Sequence, residues 1–117
     1  RRHAGQYREL LADLDIELPI EQENVQHVYH LFVIQVEQRD LVLEKLKAAG
    51  IGAGIHYPIP LHLQPAYQYL GYKKGDFPKT EKAADTILSL PMYPELTDTQ
   101  LEYIAKTLSK IYLERFQ

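Results

Sequence analysis

The sequence predicts a small α+β domain in which helices pack on a three-stranded sheet. The run VYHLFVIQV at residues 28–36 is rich in β-branched and aromatic residues, which is typical of a strand. Apolar residues at helical spacing fill residues 101–112, which predicts an amphipathic helix near the end of the chain. No repeat, linker or low-complexity tract divides residues 1–117, so we expect a single domain of mixed class.

Composition narrows the possible functions. The chain has 117 residues, 13 Lys and Arg against 16 Asp and Glu, and no cysteine. The absence of cysteine excludes disulfides, thiolate zinc sites and cysteine nucleophiles. A formal charge of −3 with intermixed signs predicts no binding to nucleic acid or to an anionic membrane surface. No apolar run approaches the roughly 18 residues of a spanning helix, so we expect a cytoplasmic protein.

The first third of the chain predicts a helix, an edge segment and a central strand. Residues 1–14 place an apolar stripe at spacings of three and four, formed by Ala4, Tyr7, Leu11 and Leu14. A helix that begins at the first residue suggests that the chain is part of a longer polypeptide. Residues 15–23 alternate in polarity and contain Pro19, which favours an extended piece at a sheet edge. Residues 28–36 are apolar on both faces at their centre, as expected for a middle strand.

The rest of the chain predicts four further helices and two strands. Helices are expected at residues 40–49, 64–70 and 78–88, and a last one begins at the capping box of Thr97 and Gln100 and runs to residue 117. Residues 51–57 predict a second strand and residues 90–95 a third. Residues 58–65 contain three prolines and cannot form a regular element. The predicted core comprises Leu31, Val33, Leu46, Ile55, Ile87, Leu88, Leu101, Ile104 and Leu108.

The densest group of polar and aromatic side chains is the segment GIGAGIHYPIPLHLQPAY at residues 50–67. A loop braced by proline after a strand is a common way to present polar groups to a ligand. On this interpretation a pocket is lined by His56, Tyr57, His62, Gln64 and Tyr67. The alternative is that the prolines shape a structural loop and the aromatic rings fill the core.

Other kinds of site find little support in the sequence. The histidines lack a completing cysteine or well-placed carboxylate, so we expect no metal site, and we expect His30 to be a packed core residue. No Gly-x-Ser-x-Gly turn exists, and the serines and threonines, Ser89 included, are assigned to helix starts or faces. Gly50, Gly52 and Gly54 alternate within a predicted strand and are not a dinucleotide fingerprint. We therefore expect no metal site, no nucleophilic triad and no dinucleotide-binding turn in this chain.

Three stretches, taken together, resemble a known family. They are HVYHLFVIQV, KAAGIGAGIHYPIPLHLQPAYQYLGY and GDFPKTEKAADTILSLPMYPELTD, in that order. They are similar to the C-terminal part of the DegT/DnrJ/StrS sugar aminotransferases, which are pyridoxal-phosphate enzymes that aminate keto-sugars carried on nucleotides. The resemblance covers nearly the whole chain.

The resemblance implies the small domain of an aspartate-aminotransferase-like, fold type I enzyme. Residues 1–14 would be the end of the helix that enters this domain. The Schiff-base lysine and most cofactor ligands would belong to an absent large domain. The resemblance therefore implies no catalytic and no cofactor-binding residue in this chain, which alone would be inactive. The implied partners are that large domain, a second subunit of a homodimer, a nucleotide-linked keto-sugar and an amino-acid donor. The alternative belongs to a different functional class: a free-standing, non-catalytic binding or interaction module related to the family.

Overall fold

The centre of the fold is an antiparallel pair of short strands with α-helices around it. The computed structural model describes residues 1–115, so residues 116 and 117 of the predicted last helix lie outside the described part. The helices and strands are α1 (Arg2–Leu11), β1 (Phe32–Gln35), α2 (Arg39–Ala48), α3 (Pro78–Thr86), β2 (Ile87–Leu90) and α4 (Asp98–Arg115). Two short 3₁₀ helices, Leu61–Leu63 and Pro65–Leu70, lie between α2 and α3.

The mixed fold class is confirmed, but the predicted three-stranded sheet is corrected to two strands within residues 1–115. Phe32 pairs with Leu90 at one end of the ladder and Gln35 with Ile87 at the other. Outside these strands, Glu17 forms a single bridge with Gln35 on one side of the sheet. Gly54 forms a single bridge with Ser89 on the other side. The predicted edge segment and the predicted second strand each contribute one residue pair instead of a strand.

The second strand, expected over residues 51–57, fails because of its composition. Gly52 and Gly54 lack side chains that would pack on the sheet and favour extended backbone. Pro58 follows at once and lacks the N–H needed to extend a ladder. Two backbone hydrogen bonds join Gly54 to Ser89, with N···O distances of 3.1 and 2.7 Å, and the segment then leaves the sheet.

The strand predicted third along the chain, over residues 90–95, is observed as β2 and lies earlier than predicted. Helix α3 ends at Thr86, and Ile87 and Leu88, which were assigned to that helix, belong to β2. A short apolar run fits a helix and a strand equally well, and here pairing with β1 decides between them. Strand β2 ends at Leu90 because Pro91 cannot donate a ladder hydrogen bond. Residues 91–95 of the predicted strand are irregular.

Helix α4 forms one wall of the core and packs against α1 and α2. It begins at the predicted capping box: Thr97 N–H donates to Gln100 Oε1 at 2.9 Å, and Gln100 N–H donates to Thr97 Oγ1 at 3.2 Å. Tyr7 of α1 lies fully inside the core, and its hydroxyl donates to the Pro91 carbonyl at 2.7 Å. Burial raises the pKa of Tyr7, so this donor stays protonated.

The core prediction is confirmed for the residues on α2, α4 and the start of β2. The buried ones among them are Leu46, Leu88, Leu101, Ile104 and Leu108. The remaining four, Leu31, Val33, Ile55 and Ile87, are only half-buried.

The register of β1 explains the difference, because side chains alternate between the two faces of a strand. Phe32, Ile34 and Val36 face the core, so Leu31 and Val33 face the other way. His30 is also exposed, contrary to the expectation of a core residue. It precedes β1, so the alternation of the strand does not reach it, and its neighbour Tyr29, at a φ of +52°, is buried instead.

The start of α3 is organised by Glu81. Its carboxylate accepts the backbone N–H of Gly75 at 2.8 Å and that of Phe77 at 3.1 Å, so it satisfies two donors of the turn that leads into the helix. These hydrogen bonds, Gly75 first, lower the pKa of Glu81, and His62 adds to the effect. The carboxylate thus joins the turn before α3 to the proline-rich loop.

We expect Leu108→Ala to lower the free energy of unfolding by about 2–5 kcal/mol, because it leaves a cavity in a fully buried position. Leu113→Ala, on an exposed part of the same helix, is the matched control and should cost well under 1 kcal/mol. Urea titration of the isolated chain measures both. A small loss for Leu108→Ala would show that α4 does not close the core.

We expect Glu81→Gln to destabilise the chain at pH 7 and to matter less as the medium is acidified. A carboxyl whose pKa is lowered by folding stabilises the fold above its unfolded value, and that contribution is lost as pH falls through the folded value. Urea titrations of wild type and variant at pH 7 and pH 3 measure the difference. This role would be contradicted if wild type and variant differed in free energy of unfolding by the same amount at pH 7 and at pH 3.

Candidate functional site

The proline-rich loop between α2 and α3 has its path set by contacts at both ends. It begins at the Gly54 bridge to β2. It then passes through the two 3₁₀ helices, and the second of these ends at Gly71, whose φ of +80° favours glycine. Prolines 58, 60 and 65 restrict the backbone between these points. The five predicted site residues all lie on this loop.

His56 lies where the loop leaves the sheet. Its ring Nδ1 is 2.9 Å from the hydroxyl oxygen of Ser89, a buried residue of β2. The ring also contacts the edge of Tyr57, with centroids 5.6 Å apart. The side chain is exposed, and within residues 1–115 its Nε2 has no hydrogen-bond partner. This arrangement holds one ring nitrogen and leaves the other free for a ligand.

Tyr57 and Gln64 line the same shallow groove of about 260 Å³, beside Ile59, Thr80 and Ile87. Tyr57 is 71% exposed, so its ring and hydroxyl stand in solvent. Gln64 is half-buried, and its amide nitrogen donates to the Ile59 carbonyl at 3.3 Å. Gln64 therefore supports the shape of the loop, whereas Tyr57 is available to a ligand.

His62 is the most enclosed of the five predicted residues. It is buried, with Nε2 3.3 Å from a carboxylate oxygen of Glu81. Its ring meets the edge of Phe77 at a centroid distance of 4.8 Å. Both contacts join the first 3₁₀ helix to the start of α3, so the geometry gives His62 a structural task inside the loop.

Tyr67 lies with His62 in a second groove of about 410 Å³. The rest of its lining is mainly apolar and aromatic: Leu61, Leu70, Tyr72, Phe77 and Thr80. Tyr72 and Phe77 meet edge to face at 5.1 Å. A lining of this kind suits an apolar side chain of a neighbouring protein surface more than a hydroxyl-rich ligand.

The five predicted residues therefore fall into three places along the loop. Tyr57 and Gln64 line one groove, and His62 and Tyr67 line the next, which shares Leu61 and Thr80 with it. His56 belongs to neither and stands at the sheet edge. In the described part of the chain these residues line an extended surface, and their binding of a substrate stays a prediction.

Sequence reasoning missed Glu81 and Ser89, which hold His62 and His56. Ser89 was assigned to a helix face and lies in β2 instead. The signal available for Ser89 was the polar residue inside the apolar run ILSLP, since a buried serine needs a hydrogen-bond partner. Glu81 had a weaker signal, because an acidic residue in the first turn of a helix is common on any surface.

Several other features bear on the kind of site this chain can offer. Among residues 1–115 no three His, Asp or Glu side chains come close enough to hold a metal ion. Every lysine of the chain is exposed except the half-buried Lys45. Within the same described part, no helix is both long and apolar enough to cross a membrane.

Comparison with known protein families gives a match over nearly the whole chain. The sequence model of the DegT/DnrJ/EryC1/StrS aminotransferase family matches residues 1–109. A pleiotropic regulatory protein of Geobacillus stearothermophilus is 42% identical over 96% of the chain and 31% of its own length. A UDP-N-acetyl-3-dehydro-alpha-D-glucosamine 3-aminotransferase of Acidithiobacillus ferrooxidans is 41% identical over 94% of the chain and 29% of its own length. The chain thus spans about 30% of these curated relatives.

Solved structures give the same result. DesV of S. venezuelae, in complex with a ketimine intermediate, superposes with a TM-score of 0.91 at 35% identity, over 95% of this chain and 30% of that one. The PLP form of the putative sugar aminotransferase Spr1654 from Streptococcus pneumoniae gives 0.87 at 28% identity, over 97% and 30%. These matches confirm the fold type I assignment. With the family match over residues 1–109, they show that the chain belongs to the DegT/DnrJ/EryC1/StrS aminotransferase family.

Proposed function

We propose that this chain is the C-terminal small domain of a pyridoxal-phosphate-dependent aminotransferase that transfers an amino group from an amino acid to a keto-sugar carried on a nucleotide. The observation that carries the proposal is the superposition on DesV at a TM-score of 0.91, together with 35% identity. The named substrate of the Acidithiobacillus relative supports the nucleotide-sugar class.

The residues of this chain do not fit the role of holding the cofactor covalently. A Schiff-base lysine works best when burial lowers the pKa of its amine. None of the eight lysines is buried, and none lines the groove of Tyr57 or that of Tyr67. In the proposed enzyme the lysine and the cofactor site belong to a large domain, and this chain contributes groups that meet the substrate.

The exposed end of the loop is the part that suits a sugar nucleotide. His56 Nε2 and the Tyr57 hydroxyl have no hydrogen-bond partner within residues 1–115, and both rings are exposed. A sugar offers hydroxyls to such groups, and its diphosphate offers acceptors for a histidine N–H. The Tyr57 ring can also cover an apolar sugar face. His56 and Tyr57 are therefore our principal substrate-binding residues, with Gln64, His62 and Tyr67 in supporting positions.

The apolar part of the loop suits contact with the rest of the enzyme. Eight of the exposed large apolar side chains described in residues 1–115 lie between positions 57 and 77. The domain is also thin, with extents of 48 × 41 × 23 Å, and its radius of gyration of 15.6 Å exceeds the about 13 Å expected for this length. In our proposal this face meets the large domain and the second subunit of a cytoplasmic homodimer.

We expect the isolated chain to have no transaminase activity, because no buried lysine is present to react with pyridoxal phosphate. Incubation with the cofactor, borohydride reduction and mass spectrometry measure any adduct. Modification spread thinly over the exposed lysines agrees with the proposal. Stoichiometric labelling of one lysine, or turnover of a keto-sugar, would contradict it.

In the full-length enzyme we expect Tyr57→Phe to reduce kcat/KM for the sugar by about twofold to tenfold, which is the effect of one neutral hydrogen bond. The half-reaction with the amino donor should be nearly unchanged, because a small amino acid does not reach the nucleotide-sugar contacts. Tyr69→Phe, which removes a hydroxyl from another exposed tyrosine, is the matched control. Stopped-flow absorbance separates the two half-reactions, and equal damage to both would mean that the loop shapes the cofactor site.

A further inference from the structure

The side chain of Ser89 forms a hydrogen bond outside the sheet, which the pairing of its strand does not require. It is only 5% exposed, and its backbone lies between Val33 of β1 and Gly54 of the loop. Its hydroxyl lies 2.9 Å from Nδ1 of His56. Within residues 1–115 this is the only hydrogen bond formed by the hydroxyl. A residue at the centre of the sheet therefore contacts the side chain that we place nearest the substrate.

The direction of this hydrogen bond follows from the burial of Ser89. A hydroxyl carries one proton, and a buried proton without an acceptor costs free energy. If Nδ1 carried the ring proton, it would donate to the serine oxygen, and the serine proton would lack an acceptor in the described part of the chain. If Ser89 donates to Nδ1, both groups are satisfied. A neutral imidazole that accepts at Nδ1 carries its proton on Nε2.

The position of the ring is equally well defined. Two backbone hydrogen bonds join Ser89 to Gly54, which lies two residues before His56. The loop therefore leaves the sheet next to Ser89, the residue that binds the His56 ring. The ring carbon Cε1 lies over Gly54, 3.5 Å from where a Cβ of that residue would stand. The histidine is thus held by its backbone and by one ring nitrogen, and its ring lies in the space beside Gly54, which has no side chain.

We propose that Ser89 is a positioning residue for sugar-nucleotide binding: by donating to Nδ1 of His56, it keeps the proton on Nε2 and directs that N–H outward, to an oxygen acceptor of the nucleotide-sugar. The role of the N–H toward substrate rests on the proposed function. The hydrogen bond between Ser89 and His56 and the tautomer of the His56 ring do not depend on the proposed function. A histidine free to exchange its ring proton would present a donor only part of the time and would lose orientation entropy on binding.

The first test is spectroscopic and uses the full-length protein labelled with ¹⁵N-histidine at pH 8.5, well above the ordinary pKa of histidine. Long-range ¹H–¹⁵N correlation distinguishes the two neutral tautomers, and the His56 signals are assigned from their loss in His56→Gln. We expect the Nε2–H tautomer in wild type, a mixture of tautomers in Ser89→Ala, and the wild-type pattern in Ser89→Thr. A wild-type Nδ1–H tautomer, or signals that Ser89→Ala leaves unchanged, would overturn the proposal.

The second test measures function with the same variants. Ser89→Ala should lower kcat/KM for the sugar about threefold to tenfold, mainly through KM, since one oriented hydrogen bond is weakened. Ser89→Thr should recover activity to within about twofold, because it restores the hydroxyl. Ser109→Ala is the control, since it removes a hydroxyl that bonds the Ala105 carbonyl on α4, and it should leave the sugar reaction unchanged.

The outcomes separate the two proposals. A folded Ser89→Ala enzyme in which both half-reactions fall equally would show a structural role and overturn the positioning role. If wild type does not aminate any nucleotide-sugar, the proposed function fails, while the tautomer of His56 still decides whether Ser89 directs its ring. If Ser89→Ala does not fold, Ser89→Thr and Ser89→Cys provide the comparison, because a thiol is only a weak donor to Nδ1.

Discussion

The rest of this structure depends on one short strand, β2, that is paired on both sides. On one side it forms the ladder with β1, which fixes Phe32 and Ile34 in the core. On the other side Ser89 bonds the backbone of Gly54 twice. The same four residues therefore set the register of the core and the point where the proline-rich loop departs. A shift of one residue in β2 would move the loop and exchange the buried and exposed faces of the sheet together.

The loop itself contributes little to the core, and this explains its composition. Between Tyr57 and Phe77 the chain is rich in proline and in exposed aromatic residues, and it has few backbone hydrogen bonds of regular structure. Its shape comes from the restricted dihedral angles of proline and from polar contacts, among them Ser89 with His56, Glu81 with His62 and Gln64 with Ile59. Such a surface is ordered before a ligand or another domain arrives, which reduces the entropy lost on binding.

The helices could be predicted from the sequence because their signals are local. The spacing of apolar residues in α4 and its Thr97–Gln100 box need no knowledge of the rest of the chain, and both are confirmed. The strands could be predicted only in part, since Ile87 and Leu88 satisfy two periodicities and only pairing with β1 selects one. The loop was recognised as the candidate site, but the partners of its histidines come from α3 and β2. Contacts between residues distant in the chain leave no periodic signal.

The antiparallel pair of β1 and β2 also has a consequence for how the chain folds. Its partners, such as Phe32 and Leu90, lie far apart in the chain, with α2, both 3₁₀ helices and α3 between them. Formation of the ladder closes a long loop, and the chain loses conformational entropy on closure before the strand contacts compensate for that loss. On the ribosome, neither the sheet nor the Gly54 bridge can form until β2 has emerged. The loop that we place at the substrate therefore reaches its position only after α3 and β2 have been synthesised.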